Sequence, residues 1–230
     1  MIASMEEKIT RGLGLPGGDV GAVDYEALEK NIPRSQLDTF EDGDLLKAVA
    51  ETVAEAGPWK ASVDMIARRS GLSKSGLYAH FKSRQDMLRQ FFMTEFERMG
   101  RYAEAGIAGS AIPAEQFYLA VVSLADYLRS RPEILLAADW LRTRRLDLDL
   151  EIPPRMYRIF SDIRFPGAPP PPAPEEESGP APEQNSQWIF FLIVNILMRR
   201  PPAMGFAEVS NASIRRLYRF ICLGVKGFEI

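Results

Sequence analysis

Histidine and cysteine are almost absent from this 230-residue chain: His80 and Cys222 are the only ones it has. The pair cannot supply the Cys/His set of a zinc site, and one cysteine cannot close an internal disulfide. No apolar run reaches the roughly 18–20 residues that span a bilayer. The longest, WIFFLIVNILM from Trp188 to Met198, runs into Arg199 and Arg200. The opening MIASMEEKITRGLGLPGGD lacks the apolar core of a signal peptide. There is no Walker A loop, no GxSxG elbow and no clustered acidic motif. These absences point to a soluble cytoplasmic protein with no membrane partner, no metal, no cofactor and no catalytic residue. Cys222, between Ile221 and Leu223, reads as a small buried hydrophobe.

The charges present are unevenly placed. Net charge is −3, which argues against nucleic acid when taken whole. Residues 1–59 carry 5 basic and 12 acidic side chains, net −7. Residues 60–90 carry 7 basic side chains (Lys60, Arg68, Arg69, Lys74, Lys82, Arg84, Arg89) against Asp64 and Asp86, net +5. A basic patch inside an acidic chain is the footprint of a phosphate-binding face, although an ordinary solvated surface has the same composition.

Helical periodicity dominates from Asp44 onward, and no sustained two-residue alternation occurs, so the fold class is all-α. DLLKAVAETVAEAG puts Leu45, Leu46, Val49, Val53 and Ala56 on one stripe, stopped by Gly57-Pro58. Ser62 is placed to cap a short second helix ending at Gly71, and Ser73 a third. Ser83 with Asp86 resembles a capping box opening a long helix to about Ala105. Further helices are expected at 114–130, 133–145, 154–164, 184–199 and 210–226. Residues 1–40 read as a partly disordered acidic extension with at most a short helix near DYEALEKN. Residues 166–182 hold 8 of the 17 prolines and read as an extended loop. The resulting division is extension 1–40, DNA-binding head 41–88 and helical body 89–230.

Helices two and three, joined through SGLS, have the helix-turn-helix form. Ala67 and Gly71 are small enough for a close crossing. Leu72, Leu77 and Phe81 are expected to anchor the second helix. Ser75, Gly76 and Ala79 offer a short outer face, with Lys74 at its edge. Gly76 costs its helix about 1 kcal/mol relative to alanine, so close approach to another surface is the better reason for it. Tyr78, His80, Lys82 and Arg84 are donors suited to phosphate oxygens, and the helix starts at Ser62 and Ser73 can also meet phosphates. On this reading His80 is a backbone clamp.

SVDMIARRSGLSKSGLYAHFKSRQDML, from Ser62 to Leu88, resembles the DNA-binding signature of TetR/AcrR transcriptional regulators. The matching positions are Ile66-Ala67, Gly71-Leu72-Ser73, Leu77-Tyr78, His80-Phe81 and Lys82-Ser83-Arg84. The resemblance implies that Tyr78, His80 and Arg84 contact phosphates, while Lys74, Ser75, Gly76 and Ala79 approach base edges. It also implies a helical effector-binding and dimerisation domain over the remainder. Two departures stand out: Arg84 replaces the family's usual lysine, and the leader is longer than the family's short arm.

In the body, Phe96, Phe117, Trp140, Tyr157 and Trp188 are candidates for lining an effector cavity, and an apolar or aromatic small molecule is expected. The last two helices are the homodimer candidates, because QWIFFLIVNILMRR is apolar nearly all round. The expected function is a ligand-responsive repressor on a palindromic operator. An activator of the same fold, an all-α enzyme and a sequence-independent DNA-binding protein remain open alternatives.

Overall fold

The computed structural model describes residues 10–13, 17–35, 44–58, 60–144, 154–163, 182–198 and 209–228. Among the described residues every regular element is helical. The proline-rich segment lies outside them, apart from Pro182.

The leader supplies α1 (Gly17–Gly21) and α2 (Tyr25–Lys30). Asp24 starts α2 by accepting a hydrogen bond from the Ala27 N–H at 3.1 Å. This is the short helix expected near DYEALEKN. The described leader nevertheless departs from a detached extension. Val20, Val23, Leu28 and Ile32 are buried in the main core, and the Leu13 N–H donates to the Ile221 carbonyl at 2.8 Å. Apolar residues three to five apart in an acidic stretch were the signal, too sparse to read as a helix face.

The head follows. In α3 (Asp44–Ala56) Val49 and Val53 are fully buried, with Leu45 and Leu46 packed against the same core. Gly57 ends the helix at φ +76°, a left-handed conformation that glycine adopts without a side-chain clash. Two short helices, α4 (Val63–Ser70) and α5 (Lys74–His80), cross next, and α6 (Arg84–Ile107) leads away from the head into the body.

The body is arranged around α7 (Pro113–Ser130), which begins with proline at its first turn and is buried continuously from Phe117 to Leu128. Against α7 pack α6, α8 (Pro132–Arg144), α9 (Pro154–Ser161), α10 (Pro182–Leu197), α11 (Asn211–Leu223) and both leader helices. A 3-10 turn over Gly224–Phe228 follows α11. Gly106 allows α6 to meet α7 closely, because a Cβ there would collide with Ser123 Oγ. Head and body also touch through α3 and α8.

A buried charge is satisfied inside this core. Glu95 accepts from the Tyr127 hydroxyl at 2.8 Å and from Arg98 at 3.0 Å, with Arg131 at 3.5 Å. Removing one partner from such a cluster leaves an uncompensated buried charge, a change that costs several kcal/mol.

Candidate nucleic-acid interface

Helices α4, α5 and α6 each start on a serine that satisfies one free backbone donor. Ser62 Oγ accepts from the Met65 N–H at 3.2 Å, Ser73 Oγ from the Gly76 N–H at 3.0 Å, and Ser83 Oγ from the Asp86 N–H at 3.0 Å. Asp86 completes the last cap by accepting from the Lys82 N–H at 2.8 Å. A hydrogen bond from Gln90, together with the one from the Lys82 N–H, holds its carboxyl below the usual range. The turn between α4 and α5 rests on Gly71 at φ +70°. In its reversed backbone the Leu72 N–H reaches the Ala67 carbonyl at 3.0 Å.

This frame orients α5. Leu77 and Phe81 point inward and are buried, as are Ile66 and Ala67 beneath them. Leu72 does not join them: it is 37% exposed, because the left-handed turn at Gly71 takes the chain off the helical register. Ser75, Ala79, His80 and Lys82 are exposed, and Tyr78 is 53% exposed. A Cβ on the half-buried Gly76 would meet only Ser73 Oγ, at 3.4 Å, and Leu72, at 3.7 Å and beyond, which are ordinary contacts within its own turn. Packing against α3 or α4 therefore does not require a glycine there.

The charged groups divide into two sorts. Lys74 Nζ lies 2.7 Å from Asp64, but both side chains are more than half exposed, so the pair is weak and its ammonium can exchange partners. Arg84 is turned inward. Its Nε donates to the Ala61 carbonyl at 2.6 Å and its Nη2 to the Pro58 carbonyl. The expected outward phosphate donor is thus a bracket that ties the start of α6 to the loop between α3 and α4. Arg69 similarly joins α4 to Glu55 and Glu51 of α3.

Residues 45–91 match the family described as bacterial regulatory proteins, tetR family. Over that stretch the head is similar to the DNA-binding part of tetR-family regulators. An HTH-type transcriptional regulator of Mycobacterium tuberculosis, found in two strains, is 27% identical over 101 residues. That match covers 44% of this chain and 48% of the relative, so the chain spans about half the length of the curated relatives it matches. Among solved structures, the transcriptional regulator FadR from Bacillus subtilis, crystallised in complex with stearoyl-CoA, has a TM-score of 0.61 and 18% identity. The match covers 79% of this chain and 98% of FadR. At that identity the likeness establishes the fold alone.

Three of the body candidates, Phe96, Phe117 and Trp188, are spread over separate parts of the body. Phe96 meets Phe190 edge-on at 5.8 Å, Phe117 lies 5.2 Å from Phe160 and 6.1 Å from Tyr218, and Trp188 lies 6.4 Å from Phe220. Phe96 and Phe117 are buried and Trp188 half-buried. The side chains of Trp140 and Tyr157 lie outside the described residues. Sequence reasoning missed a polar group in the leader. Glu29 accepts from Tyr118, from Asn211 at 2.7 Å and from Arg215 at 2.8 and 3.1 Å. Nearby, Arg34 Nε donates to Asp126 at 2.8 Å. Among the described residues there is no metal-ligating cluster, and no helix is long and apolar enough to cross a membrane.

Proposed function

We propose that the chain is a ligand-responsive, DNA-binding transcriptional regulator that works as a homodimer on a palindromic operator. The observation carrying this reading is the outward face of α5: Ser75, Tyr78, Ala79 and His80 are solvent-facing, while Leu77 and Phe81 fix the helix from behind. Small residues at Ser75, Gly76 and Ala79 let the backbone settle into a major groove, where base edges carry the sequence information. Tyr78, His80, Lys82 and the capped helix starts at Ser62 and Ser73 supply the phosphate contacts, with Lys74 between the two sets. Arg84 contributes by holding this surface in place.

The dimer rests on α10 and α11. Trp188, Phe191, Leu192, Ile196, Phe220 and Leu223 remain only partly buried in the single chain, an apolar face suited to a second copy. A symmetric pair sets two α5 helices about one DNA turn apart. The body acts as the effector domain and takes a small, mostly apolar or aromatic molecule. The acyl thioester carried by the fold neighbour is in keeping with an apolar effector. Effector binding favours a separation of heads that the operator does not, so the protein acts as a repressor released by its ligand. This role belongs to the cytoplasm and requires no enzymatic step.

The test is selection from randomised duplexes followed by gel shift across a salt series. A palindrome bound specifically, with affinity falling as salt rises, is the expected result. Equal affinity for all sequences would sink the regulator reading in favour of sequence-independent binding.

A further inference from the structure

The face of the body beneath the leader is a carboxylate receptor made of fixed side chains. Arg215 donates through Nε and Nη2 to the two oxygens of Glu29 at 2.8 and 3.1 Å. Asn211 Nδ2 adds a third bond at 2.7 Å and the Tyr118 hydroxyl a fourth. A guanidinium fork on both oxygens is the geometry that best matches a planar carboxylate. Asn211 and Arg215 lie one turn apart at the start of α11, where the helix dipole also favours an anion.

An aromatic slot adjoins this receptor. The Tyr25 ring meets Tyr118 edge-on at 4.7 Å and Tyr218 at 6.0 Å, and the Arg215 guanidinium lies 5.5 Å from its centroid. Tyr118 and Tyr218 are fully buried with the leader in place, and the Tyr218 hydroxyl is held from the body side by donating to the Ala114 carbonyl at 2.9 Å. The occupant differs in character. It belongs to a leader of two short helices, whose docking has to overcome the backbone entropy of every residue it orders. A free small molecule does not carry that term. The body thus reads one ring and one carboxylate, both presented in cis by residues a single helical turn apart.

We propose that the groove formed by Tyr118, Tyr218, Asn211 and Arg215 is a binding site for a small aromatic carboxylate, held in the resting chain by Tyr25 and Glu29 of the leader. A molecule of that class takes the groove by displacing the two side chains and undocking residues 25–32. The Arg34–Asp126 pair marks the end of the displaced segment, shortly before α3 of the head begins. The site stands apart from the DNA reading, since nothing in its chemistry needs an operator.

The experiment is hydrogen exchange by mass spectrometry on the full chain, titrated with 4-hydroxyphenylacetate and, as control, 4-hydroxybenzyl alcohol. Exchange over residues 25–32 is expected to accelerate about tenfold with the acid and to ignore the alcohol. A short tether gives the cis occupant a millimolar effective concentration, so the wild-type response requires about millimolar probe. Glu29→Gln weakens the cis occupant and lowers the half-maximal probe concentration about fivefold. Arg215→Met abolishes the response, and Asn211→Ala, a milder change, raises the half-maximal concentration about fivefold. An indifferent leader in both wild type and Glu29→Gln up to about 10 mM acid, or an equal response to the alcohol, overturns the proposal. These readouts contain no DNA, so a failure of operator binding and a failure of this site are separately visible.

Discussion

Arg84 Nε sits 2.6 Å from the backbone carbonyl of Ala61, 23 residues earlier in the chain. The same guanidinium also bonds the Pro58 carbonyl, so one side chain fixes the loop before α4 to the first residue of α6. A lysine has no fork and cannot hold both carbonyls in this way. Arg84→Lys is therefore expected to cost about 1–2 kcal/mol of stability, because bonds from a charged donor to buried carbonyls are lost. Operator affinity falls with it, while the salt dependence of binding stays at the wild-type slope. Gel shifts of wild type and variant over a salt series measure both. A lysine variant that binds as wild type, with an alanine variant whose salt slope drops by about one, would instead make Arg84 a phosphate contact.

The outward residues of α5 divide into two classes with different signatures. Tyr78→Phe and His80→Ala remove exposed donors that we propose meet phosphate, and are expected to weaken every operator variant alike, by about tenfold or less. Ser75→Ala and Ala79→Ser change the surface that we propose lies nearest the bases, and are expected to alter which sequence is preferred, by about 1–3 kcal/mol at the affected position. Selection from a randomised duplex pool separates the classes. Uniform losses across all sequences for Ser75 and Ala79 changes would place those residues away from the bases.

Gly71 holds the turn between α4 and α5 at φ +70°, and no atom stands within 4 Å of where a Cβ would be. The space is open, so any penalty for a side chain is a backbone penalty. Gly71→Ala is expected to lower stability by about 1 kcal/mol through the left-handed conformation alone. Gly76→Ala serves as the contrast. Its Cβ fits ordinary contacts in a helical backbone, and the change raises helix propensity by about 1 kcal/mol. Thermal unfolding should therefore shift in opposite directions for the two variants. A Gly76→Ala protein that is more stable but binds DNA more weakly is the outcome expected if the bare backbone approaches a groove.

These examples show which parts of the molecule were legible in its sequence. The caps at Ser62, Ser73 and Ser83 and the stops at Gly57 and Gly71 involve partners three to five residues away, so residue type and order suffice to place them. Leu72 was misread as an anchor because hydrophobic periodicity does not carry through a left-handed turn. Arg84 was recognised as a donor, but composition does not say whether a guanidinium points to solvent or back to a carbonyl. Glu29 was illegible. Its partners Tyr118, Asn211 and Arg215 stand 89, 182 and 186 residues away, and no local pattern encodes such a meeting.

The Glu29 receptor makes the attachment of the leader depend on pH. Burial alone would raise this carboxyl, but hydrogen bonds from Arg215, Tyr118 and Asn211 outweigh it and hold it at about 2, below its ordinary 4.5. A carboxyl with a depressed folded value binds its proton more readily once the chain is unfolded. Its stabilising effect is therefore complete above about 4.5 and is lost as pH falls toward about 2. Asp126 has the opposite tendency, since burial pushes its carboxyl up against the pull of Arg129 and Arg34. Total acid stability thus mixes several groups, and the informative quantity is the difference between wild type and Glu29→Gln. That difference is expected to be about 1–2 kcal/mol near neutral pH, allowing for partial solvent screening, and to close between pH 4.5 and 2. Chemical denaturation of both proteins across that range measures it. A gap that stays constant down to the acid limit would mean that the glutamate holds the leader by packing alone, with its charge contributing nothing.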